Sequence, residues 1–330
     1  MSSRIVSAPA RIVASGCYVP ERVLTNTDFE SMLDTNDEWI VQRTGIKQRH
    51  VVSDGQHASH MAFGAIDDLL AHHPGIAIAT IDYVLVATTT SDYVYPSVAA
   101  MIQDRYGIPT TAGALDISGA CAGFAYAINL ATGLLATGQA SRVLVVAADA
   151  LTRSADYTDR STCVLFGDGA GALVIEHSDT PAILGMTAGA DGSAGKFLFR
   201  TNMRFDINGT VDDTRLLRQD GRNVFRWVIE NIPSTIAQIL DRAGLTMADI
   251  DWFAPHSANL RMIEALNKRL DFPMEKTLVS VVDYGNTSAV SIPLALIPAA
   301  REGRVKTGDR ILLIGFGGGL VSAGNVIIWQ

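Results

Sequence analysis

Cys121 has the type and the setting to do chemistry. It stands in Ala112-Gly-Ala-Leu-Asp-Ile-Ser-Gly-Ala-Cys121-Ala-Gly-Phe-Ala-Tyr-Ala-Ile-Asn-Leu-Ala131. The short apolar run Leu115 to Ile117 predicts a buried strand, and the Ala-rich residues after Cys121 predict a long helix. A thiol at a helix start meets unpaired amides and the positive end of the helix dipole. Both favour the thiolate, the form that attacks carbonyl carbon. No charged residue lies between Asp116 and Arg142, so this helix is expected to be buried on every side. Gly119 and Gly123 leave room for a substrate to approach. A lone cysteine also packs well as a small core hydrophobe, so the chemistry needs partners. His256, in Pro255-His256-Ser-Ala-Asn259, and Asn286, in Tyr284-Gly-Asn286-Thr-Ser288, are the candidates. Taken singly, a histidine is usually structural and an Asn before a helix is usually a cap.

An internal repeat supplies the reason to group these three. Ile81-Asp82-Tyr-Val-Leu-Val-Ala is echoed by Ile250-Asp251-Trp-Phe-Ala-Pro, and Arg142-Val-Leu-Val-Val by Arg310-Ile-Leu-Leu-Ile. Phe166-Gly-Asp-Gly-Ala-Gly-Ala is echoed by Phe316-Gly-Gly-Gly-Leu. Three pairs in one order, about half the chain apart, point to a duplication. Each half also carries a charge-free helix, one starting at Cys121 and one running from about Ser288 to Ala300. Two such helices would pack between two sheets, with more polar helices near residues 55–72 and 223–243 outside. The expected architecture is α/β, a five-layered αβαβα sandwich of two duplicated halves, residues 1–178 and 179–330. In it Cys121 and Asn286 face each other across the pseudo-two-fold, with His256 nearby.

Other polar clusters carry less. Trp39 lies beside Arg43, Lys47 and Arg49, a combination suited to stacking on a base and meeting phosphates, or simply a solvated surface. His57, His60, His72 and His73 lack a Cys or acidic partner at a recognised ligand spacing, so a metal is not expected. Gly167-Asp-Gly-Ala-Gly171 runs into a strand pattern where a dinucleotide fingerprint needs a helix. Gly317-Gly-Gly319 follows a buried strand and fits a tight turn or an oxyanion-binding amide.

The totals set outer bounds. The chain has 330 residues, 48% hydrophobic and 18% charged, enough for a large core. Its net charge of −8 argues against a general nucleic-acid binder. The longest uncharged stretch is broken by polar residues and glycines, which argues against a membrane span. Three cysteines without CxxC spacing suit a reducing cytoplasm better than a disulfide framework.

The ordered motifs resemble those of β-ketoacyl-acyl-carrier-protein synthase III, the initiating condensing enzyme of the thiolase-fold superfamily. They are Asp37-Glu-Trp-Ile with Arg43-Thr-Gly-Ile, Ala120-Cys-Ala-Gly-Phe, Thr158-Asp-Arg160, Phe166-Gly-Asp-Gly-Ala-Gly-Ala, His256 with Ala258-Asn, Gly285-Asn-Thr-Ser-Ala, Ser291-Ile-Pro-Leu-Ala and Phe316-Gly-Gly-Gly. The resemblance spans essentially the whole chain. It implies that Cys121 is acylated by an acyl-CoA primer. His256 and Asn286 then assist decarboxylation of malonyl-acyl carrier protein (malonyl-ACP), and the amides of Cys121 and Gly318 hold the oxyanion. It implies CoA contacts from Trp39, Arg43, Thr44, Arg160, Phe225 and Asn259, and an acyl-pocket contribution from Tyr95 across a homodimer. Arg261, Lys268 and Arg269 form a candidate basic patch for an acidic carrier protein. Coenzyme A enters as a substrate thioester, with no permanently bound cofactor. Two departures stand out: Ser257 where many members have Gln, and Gly319-Leu-Val-Ser-Ala-Gly without the aromatic residue often found there. Rival readings are a thiolase-fold acyltransferase with a small acceptor, a Cys/His/Asn hydrolase, and a non-catalytic binding subunit.

Overall fold

Hydrogen-bonding order in two five-stranded sheets explains the repeat. The computed structural model describes residues 7–207 and 209–330. The first sheet runs Ala10–Tyr18, Asp168–His177, Arg142–Ala150, Tyr83–Ala87 and Gly113–Ile117. The second runs Ser7–Ala8, Ile183–Ala190, Val321–Ile328, Arg310–Gly317 and Trp252–Pro255. In each, the two echoing segments are parallel neighbours, and the second of them pairs antiparallel with the strand that comes after it. The Asp of each echo is a clamp. Asp82 Oδ2 accepts from the amides of Ser141 and Arg142 at 2.7 and 3.1 Å. Asp251 Oδ2 accepts from Arg310 N–H at 2.9 Å. A carboxylate opening one strand thus captures amides at the opening of the next, which the ladder alone leaves unpaired.

The third echo does not hold element for element. Phe316 lies inside the strand Arg310–Gly317, whereas Phe166 precedes the next strand, Asp168–His177. Residues 151–167 make a long connection in the first sheet, and the second sheet closes the same step with a tight turn at 318–320.

Apolar patterning sorts the helices into layers. The helices Gly123–Ala136 and Ser291–Arg301 share one core with side chains of both sheets, among them Leu85 and Val145 of the first and Ile311 and Leu313 of the second. Ala58–His72 and Val98–Arg105 cover the outer face of the first sheet. Gly221–Ala243 and Leu260–Leu270 cover that of the second. This is the five-layered αβαβα sandwich. Close approach of the centre requires small residues: a Cβ on Gly171 would sit 2.5 Å from Pro293 Cβ. The glycines of Gly167-Asp-Gly-Ala-Gly171 thus serve helix–sheet packing rather than a nucleotide.

The Cys121 helix is not buried on every side. Leu130 is 47% exposed and Gly133 is also on the surface. Absence of charge marked its inner faces correctly and overstated the outer edge. Among the described residues, no helix is long and apolar enough to cross a membrane.

Candidate active site

Cys121 sits in a tight turn, Ala120–Ala122, between the strand Gly113–Ile117 and its helix. Ala120 is forced to φ 44°, a left-handed conformation that costs a residue with a Cβ on the order of 1–2 kcal/mol. The turn is pinned by the strand of the other sheet. A Cβ on Gly315 would lie 2.6 Å from Ala122 Cα, and one on Gly317 would lie 2.7 Å from Cys121 Cβ. These glycines let the second sheet touch the backbone at Cys121. Burial pushes the thiol up to about 12, partly opposed by a hydrogen bond with Ser288. The expected thiolate is therefore corrected: removal from water outweighs the helix start, and the resting group is the neutral thiol.

His256 comes directly after the strand Trp252–Pro255 and extends its ladder, donating its N–H to Ile314 O at 2.8 Å. Its Nδ1 is 2.8 Å from Ser291 Oγ, and its ring meets Phe316 edge-on at 5.4 Å. Burial lowers its pKa to about 3, so the ring is neutral at any working pH. Asn286 is held by its own backbone: its N–H donates to Leu165 O at 2.7 Å, and its carbonyl accepts from Gly167 at 3.0 Å. Its Oδ1 accepts from Ser288 N–H at 2.9 Å, which turns the amide NH2 group toward the cavity. Ser257 is fully buried, and its Oγ accepts from Ser280 N–H at 3.2 Å. This departure from the family pattern is a packing residue behind the site.

Two spaces meet at Cys121 and Asn286. A cavity of about 110 Å³ behind the thiol is walled by Thr89, Leu151, Phe166, Leu198 and Gly318. A channel of about 280 Å³ leads outward from Cys121 and His256 past Phe225 and Asn259 to Trp39, Arg43 and Thr44. Arg43 and Arg160 each hold a guanidinium over the Trp39 ring, at 4.8 and 5.4 Å. Arg160 also pairs with Asp34 at 3.2 Å. Asn259 caps the helix Leu260–Leu270 by accepting from Arg261 N–H at 2.8 Å.

Some expected residues stand elsewhere. Arg49 is no phosphate ligand: it is 0% exposed, hydrogen-bonded to Leu24 O, Asn26 Oδ1 and Val164 O, and stacked 4.8 Å from Phe29. Strand alternation over Gln48–His50 turns it inward. Tyr95 is 85% exposed and lines neither space within its own chain. Arg261 is not a free cation: it binds Gln42 O and Val41 O, and pairs with Glu264 at 2.9 Å. Lys268 and Arg269 are exposed. No metal-capable cluster occurs among the described residues. Sequence reasoning missed three residues: Ser288 and Ser291, present in the quoted motifs without a role, and Asp149 at the end of an apolar strand.

Two duplicated sheets around paired central helices make this the thiolase fold, and the protein a condensing enzyme of the acyltransferase class. Residues 115–192 match 3-oxoacyl-[acyl-carrier-protein] synthase III, and residues 240–329 match the C-terminal part of the same family. The chain is 46% identical to β-ketoacyl-[acyl-carrier-protein] synthase III 2 of Bacillus subtilis, over 97% of this chain and 98% of the relative. It is 44% identical to β-ketoacyl-[acyl-carrier-protein] synthase III of Ruegeria pomeroyi, over 95% and 97%. The crystal structure of the Thermus thermophilus synthase III superposes with a TM-score of 0.93 at 44% identity, covering 97% of this chain and 99% of that one. The chain belongs to the β-ketoacyl-acyl-carrier-protein synthase III family, whose condensation initiates fatty-acid synthesis.

Proposed function

We propose that the reaction is a decarboxylative condensation between an acyl-CoA primer and malonyl-ACP, through an acyl-Cys121 intermediate. The Cys121 sulfur attacks the primer thioester, and CoA leaves as the thiol. Malonyl-ACP then enters the same channel, and its C–CO2 bond breaks. The electron pair forms an enolate, whose oxygen receives hydrogen bonds from His256 and Asn286. That carbon attacks the acyl-Cys121 carbonyl, whose oxyanion is held by the amides of Cys121 and Gly318, and the C–S bond breaks to release β-ketoacyl-ACP. Ser291 Oγ accepts from Ser257 N–H at 3.1 Å and lies 2.8 Å from His256 Nδ1, and in the proposed tautomer it donates its own proton to Nδ1. That leaves the imidazole proton on Nε2, as the enolate requires.

One observation carries this reading: a buried neutral His, an Asn with its amide turned outward and a cysteine share one channel. Trp39, Arg43, Thr44 and Arg160 take the nucleotide of CoA, and Phe225 and Asn259 flank its pantetheine arm. The 110 Å³ space receives a short acyl group. Tyr95, too exposed to serve its own chain, closes the acyl pocket of the partner in a homodimer. Lys268 and Arg269, with Arg261 holding the neighbouring helix, dock the acidic carrier protein. The halves 1–178 and 179–330 carry the nucleophile and the two donors respectively, and the enzyme works in the cytoplasm without a permanently bound cofactor. Intact mass after incubation with acetyl- through octanoyl-CoA tests this. An acyl adduct absent in Cys121→Ala and discharged by malonyl-ACP is expected. An adduct that malonyl-ACP leaves in place would overturn condensation in favour of transfer to another acceptor.

A further inference from the structure

Arg49 carries a buried charge whose hydrogen-bond acceptors are all neutral oxygens: Leu24 O at 3.1 Å, Asn26 Oδ1 at 3.0 Å and Val164 O at 2.7 Å. Its Nε has no partner, and the guanidinium rests against the Phe29 ring. Burial lowers its pKa only to about 10, so the charge persists at neutral pH. Taking a cation out of water with neutral partners alone is costly, so the position needs a compensating role.

The acceptors tie Arg49 to the segment that holds Asn286. Val164 precedes Leu165, whose carbonyl accepts the Asn286 N–H at 2.7 Å, and Gly167 N–H returns a bond to Asn286 O at 3.0 Å. These two bonds make an isolated parallel bridge between Phe166 and Asn286. A bridge of one residue pair has no ladder of its own, so its position depends on what packs around it. The Arg49 stem fills the corner between the two glycines of this bridge. A Cβ on Gly167 would lie 3.1 Å from Arg49 Cβ, and one on Gly285 would lie 3.2 Å from it.

The other end of the side chain is anchored. Asn26 is 1% exposed; it accepts from Arg49 and donates Nδ2 to Asp37 Oδ1 and Ile46 O, both at 2.8 Å. Lys47, just ahead of the strand Gln48–His50, donates its N–H to Val282 O at 2.8 Å, which joins this strand to the residues before Asn286. Arginine suits the position because its planar fork holds donors in fixed directions, which the single ammonium of lysine does not.

We propose that Arg49 is the positioning residue of Asn286. It fixes the segment 164–167 on which Asn286 hangs, and so aims the Asn286 amide at the enolate oxygen without touching substrate. The inference rests on Asn286 donating to that enolate, and its test separates the two. Arg49→Lys keeps the charge and most of the stem and gives up the fork.

Carbon dioxide release from malonyl-ACP and single-turnover loading from acetyl-CoA are measured in wild type, Arg49→Lys, Asn286→Ala and the double variant, with urea unfolding as the folding control. Arg49→Lys should lower kcat for release about 10-fold, keep KM for malonyl-ACP within about twofold, and load within about threefold. In the Asn286→Ala background the same substitution should change release by less than about twofold, because the residue it positions is gone. Hydrogen–deuterium exchange over peptides 164–167 and 284–288 should quicken about 10-fold in Arg49→Lys. Equal losses in loading and release that add fully to Asn286→Ala would show a general structural role and overturn the assignment. Wild-type release with unchanged exchange would overturn it as well. If Asn286→Ala releases carbon dioxide at the wild-type rate, the parent role of Asn286 fails. Exchange then decides the positioning: faster in both peptides upholds it, and unchanged overturns it. If Arg49→Lys does not fold, Asn26→Ala, which removes one anchor of the fork, decides by the same measurements.

Discussion

The two sheets open their parallel strand pairs with the same Asp clamp, at Asp82 and Asp251, and differ in the groups their strands lead to. The first leads to a strained turn with a thiol and, two strands over, to the buried Asp149. The second leads to His256 and, through the turn before its central helix, to Asn286. In the proposed reaction the two sheets of the duplicated frame divide the labour: one side carries the acyl group, and the other stabilises negative charge. The comparison also explains why both sides meet. Gly315 and Gly317 of the second sheet press against the turn of the first, so the geometry at Cys121 is set by the half that lacks it.

Several substitutions break this division or sharpen it. Removing the nucleophile has the largest effect. Cys121→Ala should lower condensation by about 1,000-fold or more, measured as ketoacyl-ACP formed. Arg49→Met strands Leu24 O, Asn26 and Val164 O beside the first half's loop, and should cost about 3 kcal/mol in urea unfolding. A pH experiment isolates the second half. The folded His256 pKa of about 3 lies below the unfolded value, so its contribution is complete above about pH 6.5 and is lost as pH falls toward 3. Between pH 7 and 5 the wild type should lose about 2 kcal/mol more than His256→Asn, read from urea midpoints. The clamps give the smallest effect: Asp82→Asn and Asp251→Asn should each cost about 1 kcal/mol. Near-equal losses would sharpen the equivalence of the two sheets, and a large difference would break it.

Much of the fold and of the site was legible in the sequence, for physical reasons. The echoes survive because the clamp needs an Asp at one strand start and a free amide at the next. The charge-free helices are legible because a layer between two sheets has little water to face. Cys121, His256 and Asn286 were grouped because the repeat put them at corresponding places in the two halves, and the fold brings all three to one channel. The features that escaped depend on contacts across the fold. Arg49 looked like surface charge, since local composition does not show which face of a three-residue strand is covered. The thiolate expectation weighed the helix start and not the desolvation where the second sheet closes over the turn at Gly315 and Gly317. The third echo misled because Phe-Gly occurs both inside a strand and ahead of one.

The most direct test of divided labour is to measure the two half-reactions separately in variants of each half. Acyl loading is read by intact mass, and carbon dioxide release from malonyl-ACP is read without primer. Cys121→Ala should not load but should still release carbon dioxide within about tenfold of wild type, while the His256→Ala/Asn286→Ala double variant should load within about tenfold and release it about 100-fold more slowly. Loss of both half-reactions in each folded variant would contradict the account, since it would mean that the two halves act as one inseparable unit.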